Sequence, residues 1–180
     1  GALSNYVWDF VNRVAKEVAK THPDKMISNC AYGIYTEPPS SIEKLEPNVQ
    51  VIIVGGRRPL QEDRDDLRRL RAEWQKKTDN PVEIFENYPF TGRGFYLPAY
   101  IPKVMGEAIN ETKTQSRGED IWITMDFSDK VIGYNHFLLY FTARMYWGGK
   151  DQDELAMFDE YVEKFYGPVA AEMRAFFTYC

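Results

Sequence analysis

Apolar positions along this chain fall into two rhythms that alternate. Val7, Val11, Val14, Ala15 and Val18, with Tyr6 and Phe10, recur at three- and four-residue spacing and predict a first helix capped by Ser4 and stopped by His22-Pro23-Asp24. Residues 25–32 (KMISNCAY) then read as a strand, and GIYTEPPSSIEKLEPN, with its prolines, as a long loop with at most one short helical turn. Residues 48–55 (NVQVIIVG) are almost continuously apolar, the pattern of a strand covered on both faces. A charged helix over about 61–78 buries Leu67, Leu70 and Trp74. A third strand follows over about 81–88, a helix over about 99–114 with Pro98 and Pro102 near its start, and a fourth strand over 121–127. Helices over about 134–147, 151–166 and 168–179 complete the chain, punctuated by Gly148-Gly149 and Gly167-Pro168.

Strands separated by helices imply parallel pairing through right-handed crossovers. The expected fold is therefore α/β: four parallel βα units with extra C-terminal helices, either half of a TIM-type (β/α)8 barrel or a small open sheet. No repeat or linker divides the 180 residues, which are expected to form a single domain over 1–180.

Composition narrows the functional classes. The chain is 44% hydrophobic and 27% charged with a net charge of −5, which speaks against nucleic acid as a partner. No run of about 18 apolar residues is present, so no membrane span is expected. The basic run from Arg64 to Lys77 is interleaved with Asp65, Asp66 and Glu73 and reads as a solvated helix face. Two cysteines, Cys30 and Cys180, and two histidines give no metal-site spacing, and no phosphate-loop or dinucleotide motif occurs. No metal or cofactor is expected, and Cys30 reads as a packed thiol. Aromatic residues reach 15%, including 12 Tyr and 4 Trp, which suits a cleft that stacks on flat rings or sugar faces as well as it suits a Tyr-rich core.

In a parallel α/β fold the functional face lies at the C-terminal ends of the strands. The first strand delivers Tyr32 there, with Tyr35 and Glu37 beyond. The second delivers Arg57, the third Glu86, Asn87 and Tyr88, and the fourth Asp126, with Asn135 and His136 after it. Carboxylates, amides, tyrosines and arginine suit sugar hydroxyls, and glycoside cleavage uses a carboxyl pair. Glu86 and Asp126 would stand on neighbouring strand ends.

Two long stretches, YVWDFVNRVAKEVAKTHPDKMISNCAYGIYTEPPS with NVQVIIVGG after it, and ARMYWGGKDQDELAMFDEYVEKFYGPVAAEMRAFF, resemble a family of bacterial secreted barrel proteins, domain-of-unknown-function family 4838. Part of that family is classed as glycoside hydrolase family 163, endo-β-N-acetylglucosaminidases acting on complex N-glycans. The likeness spans Tyr6 to Phe177. It implies strands five to eight of a barrel, a secreted, periplasmic or cell-surface location, and Tyr32 and Tyr35 as cleft-lining residues. Its catalytic carboxylates, at the end of strand four, would lie before Ser4, leaving this chain inactive alone. In many retaining barrel glycosidases the nucleophile stands at the end of strand seven, which under this count is Glu86. A glycan ligand is expected, with either the missing barrel half or a homodimer partner. The alternative is a non-catalytic glycan-binding or structural domain.

Overall fold

The computed structural model describes residues 2–55, 61–87, 102–113, 115–122, 132–148 and 152–179. Its elements follow in the order α1 (Ala2–Thr21), β1 (Ile27–Ala31), a 3₁₀ turn (Gly33–Tyr35), β2 (Val49–Gly55), α2 (Gln61–Gln75), β3 (Glu83–Asn87), α3 (Pro102–Thr112), β4 (Glu119–Trp122), α4 (Ile132–Trp147), α5 (Glu154–Tyr166), a second 3₁₀ turn (Gly167–Val169) and α6 (Ala170–Tyr179). The strands form one parallel sheet of order β1-β2-β3-β4, alternating with helices as expected. Every expected element is present, with ends shifted by a few residues. The fourth strand begins two residues earlier than its apolar run, and 123–131 lie outside the described residues.

Two corrections fall on α1. Ser4 does not cap this helix; it lies inside it and is fully buried. The buried stripe is Ser4, Trp8, Val11 and Ala15, a clean i, i+4, i+7, i+11 series, while Tyr6 and Phe10 stand on the exposed side. An apolar side chain at helical spacing is thus no guarantee of burial. The stripe that wins is the one holding the small residues Ser4 and Ala15, which let the backbone come close to the sheet.

The chain gathers into two compact units. In the first, the register fixes which side chains share a face. Ile27, Asn29 and Ala31 pair with Val49, Val51 and Ile53, and Ile53 in turn with Ile84. Of these, Ile27, Ala31, Val49, Val51 and Ile53, together with Val82, meet Trp8, Val11 and Ala15 of α1 and Leu70 and Trp74 of α2 in one core. Trp8 and Trp74 are fully buried, with ring centroids 4.5 Å apart. The opposite face holds Ser28 and Cys30, Gln50, Ile52 and Val54, and Glu83 and Phe85. Among the described residues none of these belongs to the helix core.

Polar groups near the N-terminal end of the sheet are spent on the backbone. Asn48 Nδ2 donates to the Ala15 carbonyl at 2.9 Å, and Asn80 Nδ2 to the carbonyls of Pro47 (2.7 Å) and Val49 (2.9 Å). Arg71, expected on a solvated face, is instead buried and donates to the Val82 carbonyl at 2.7 Å. Its neighbours do behave as surface charges, with Arg68–Asp65 and Lys76–Glu73 pairs at i,i+3.

The second unit is helical around Met105, Ile109, Phe137, Phe141, Met145, Phe158, Val162 and Phe177. Asp153 caps α5, its carboxylate accepting from the Leu155 and Ala156 amides at 3.0 and 2.9 Å. Gly106 sets how near α3 lies to α5: a Cβ there would meet Glu154 Cβ at 2.5 Å.

Two substitutions test these packings in urea unfolding. Trp74→Ala is expected to cost roughly 3–5 kcal/mol, through the lost ring volume. Gly106→Ala is expected to cost roughly 1–3 kcal/mol, as α3 and α5 are forced apart. A neutral result for either substitution would contradict the contact assigned to it.

Candidate functional site

The C-terminal end of β1 is where this structure shows a constructed surface feature. Ala31, the last residue of the strand, is fully buried in the core. Tyr32 follows in extended conformation (φ −142°, ψ 144°) and is 54% exposed. Gly33 then takes φ +54°, a left-handed conformation that a side chain would strain. That single reversal throws Ile34 outward, 82% exposed, and lets the Tyr35 amide bond the Tyr32 carbonyl at 3.1 Å. Tyr32 and Ile34 thus flank the tip of a tight turn, with Tyr35 half-buried behind them.

This turn is tied to the scaffold. Thr36 Oγ1 donates to the Ala31 carbonyl at 3.4 Å, and the Trp74 indole Nε1 donates to the Thr36 carbonyl at 2.8 Å. Arg69 of α2 grips Glu37 with both terminal nitrogens, Nη2 to Oε1 at 2.8 Å and Nη1 to Oε2 at 3.2 Å. The hydrogen bond from Arg69 holds the Glu37 carboxyl below its ordinary range, so it stays ionised. Further along, Asn5 of α1 accepts from the Ser41 amide at 3.0 Å.

Glu86 reaches the end of β3, level with Gly55 of β2, but on the helix-covered face with Ile84 and with no exposure to solvent. On that face Leu67 of α2 comes to 3.3 Å from where a Gly55 side chain would begin. Asn87 ends the same strand and Asn135 lies in α4; the side chains of both fall outside the described residues, as do Arg57, Tyr88 and Asp126 altogether. Among the expected site residues, then, the structure brings together Tyr32 and Tyr35, on one turn.

The sheet face away from the helices carries ionisable groups that the sequence did not single out. Glu83 lies level with Ile52, which is itself level with Cys30. Burial raises the carboxyl of Glu83 above its ordinary value; nearby Asp120 adds to this, while Arg117 opposes it. Burial also raises the Cys30 thiol, again with a contribution from Asp120, so Cys30 is a half-buried, protonated thiol.

In the helical unit, His136 stacks on Phe165 with centroids 4.7 Å apart, and its Nδ1 is hydrogen-bonded to the Tyr161 hydroxyl. Burial lowers its pKa. Arg144 bonds the Tyr140 hydroxyl at 2.5 Å and reaches Glu160 at 3.4 Å, and Glu160 also pairs with Lys164. Among the described residues no group of His, Cys, Asp and Glu is arranged to hold a metal, and no helix is long and apolar enough to cross a membrane.

A family model described as Domain of unknown function (DUF4838) matches residues 1–178. The chain belongs to the DUF4838 family. No curated protein and no solved structure matches it. For this DUF4838 chain, the sequence pointed to Tyr32 and Tyr35 but not to the Arg69–Glu37 fork, whose partners stand 32 residues apart and leave no local periodicity. Nor did it point to Glu83, the first residue of β3.

His136 makes the stability of the DUF4838 chain depend on pH. Its folded pKa lies below the unfolded value of about 6.5, so the unfolded chain binds the proton first. Stability is therefore full above about pH 6.5 and is lost as pH falls through that value toward the folded pKa. Thermal unfolding at pH 7.5 and 5.5 should show the wild type losing more stability on acidification than His136→Phe. Equal losses would remove His136 as the cause.

Proposed function

We propose that this chain is a segment of a carbohydrate-active (β/α) barrel, glycoside hydrolase-like, that acts on or binds N-acetylglucosamine-containing glycans. The observation that carries the reading is the sheet itself. Its strands run in simple sequence order, β1-β2-β3-β4, and among the described residues the helix core of the first unit lies on one face. A doubly wound sheet reverses its order part-way, whereas a barrel adds each strand beside the last and keeps its helices outside. The other face, with Gln50, Glu83 and Asp120, would be the barrel interior. It would be closed by four further βα units, in the same polypeptide or from a second copy of the chain.

The exposed Tyr32 ring then stands on the ligand end of the barrel, where an aromatic face can pack against the apolar face of a pyranose. The resemblance to glycoside hydrolase family 163 supports the substrate class and a secreted or cell-surface setting. It also supports placing the main catalytic carboxylates outside this chain, so the chain alone is proposed to bind without cleaving. Glu86, fully buried at the end of β3, serves the packing of the strand end in this reading rather than the reaction.

Binding of a biantennary complex N-glycan, followed by titration calorimetry, tests the proposal. Binding without release of sugar is expected. Tyr32→Ala should weaken it roughly tenfold, about 1.4 kcal/mol, at unchanged thermal stability. No binding to this glycan or to any member of a glycan array would remove the carbohydrate reading.

A further inference from the structure

The Arg69–Glu37 pair differs in geometry from the other described surface ion pairs of the first unit: Lys44–Asp79 also joins distant segments, but through a single ammonium nitrogen. Arg68–Asp65, Lys76–Glu73 and Lys20–Glu17 join residues three apart on one helix and constrain nothing beyond it. Arg69 instead reaches from α2 to the segment that leaves β1, and it does so with two nitrogens on two oxygens. A fork of this kind fixes orientation as well as distance, because both planar groups must lie in register. Its target stands two residues beyond the turn that exposes Tyr32 and Ile34. The Trp74 indole grips the intervening Thr36 carbonyl from the same helix, one turn and a residue further on.

We infer that Arg69 and Glu37 are a positioning pair: they hold the Tyr32–Tyr35 turn in the one geometry that presents Tyr32 and Ile34 together to a sugar ring. This rests on the carbohydrate reading of the turn, although the pair's hold on the turn can be tested without it. The turn has little else of its own to keep it in shape. Its internal backbone bonds are Tyr35 N to Tyr32 O at 3.1 Å and Thr36 N to Gly33 O at 3.4 Å, and its glycine samples a broad range of conformations when released. A turn that fluctuates must be ordered on binding, and that ordering subtracts from affinity. Trp74 and the Thr36 hydroxyl both act at one residue, the first on the Thr36 carbonyl and the second on the Ala31 carbonyl. The fork supplies the second point.

Amide hydrogen exchange on the whole chain, with and without the biantennary complex N-glycan, tests the inference. In Arg69→Ala and Glu37→Gln, amides 33–37 are expected to exchange roughly fivefold faster, while β2 and the rest of α2 keep wild-type rates. Glycan affinity should fall roughly threefold or more. Arg69→Lys, which keeps the charge but loses the fork, should fall between wild type and Arg69→Ala in both readouts. Unchanged exchange at 33–37 in Arg69→Ala would overturn the inference. So would faster exchange with unchanged glycan affinity, or acceleration spread equally over β2 and α2. If the wild type binds no glycan while Arg69→Ala still loosens the turn selectively, the pair does hold the turn and the carbohydrate reading is what falls.

Discussion

The first unit is organised around the Trp74 side chain. Its ring fills the space between α1, α2 and the sheet, against Trp8, and both rings are fully removed from water. A buried indole N–H needs an acceptor, and the one it finds is the Thr36 carbonyl in the loop after β1. One residue therefore serves two purposes that pull in the same direction. The apolar ring draws α2 onto the sheet, and the polar handle then requires the loop to come to α2. Arg69, about a turn earlier on the same helix, lands beside Glu37 as a consequence. The geometry of the exposed Tyr32–Ile34 turn is thus downstream of a core contact.

The fold was legible because its elements differ in period. The continuous apolar run of β2 differs from the three- and four-residue spacing in α1 and α2, and the alternation of the two implies a parallel sheet. What the sequence did not show was the facing of α1. Tyr6 and Phe10 satisfy the helical period as well as Trp8 and Val11 do. The choice between the stripes depends on Ser4 and Ala15 being small enough for close packing on the sheet, a property of the partner surface. Arg71 is a similar case. Inside a run of alternating charges it looks solvated, and the Val82 carbonyl, just before β3, gives its buried guanidinium an acceptor.

The candidate site was legible in part, for a physical reason. Residues at a strand's C-terminal end can be named from the strand alone, so Tyr32, Tyr35 and Glu86 were found at their strand ends. Their facing depends on pairing register, where a shift of one residue moves a side chain to the opposite face. The register Gly55 to Glu86 places Glu86 with Ile84 and Ile53 on the helix side. The same register places Glu83 on the other side, level with Ile52 and Cys30. Two glutamates three residues apart on one strand have thus been sorted into opposite environments, and composition near the strand end cannot make that distinction.

The sorting also bears on how the sheet is completed. Parallel sheets are normally covered on both faces, because each strand alternates its side chains between them. Here Ile52 and Gln50 are nearly as buried as Val51 and Ile53, although among the described residues the helix core lies on one side only. On the barrel proposal the other face would be the interior, and there Asp120 adds to the rise in pKa of both Glu83 and Cys30. Under that proposal, further strands of the same kind would enclose Glu83 in an interior layer. There the raised pKa of Glu83 would rise further as water leaves, unless Arg117 or a residue from the completing strands compensates it.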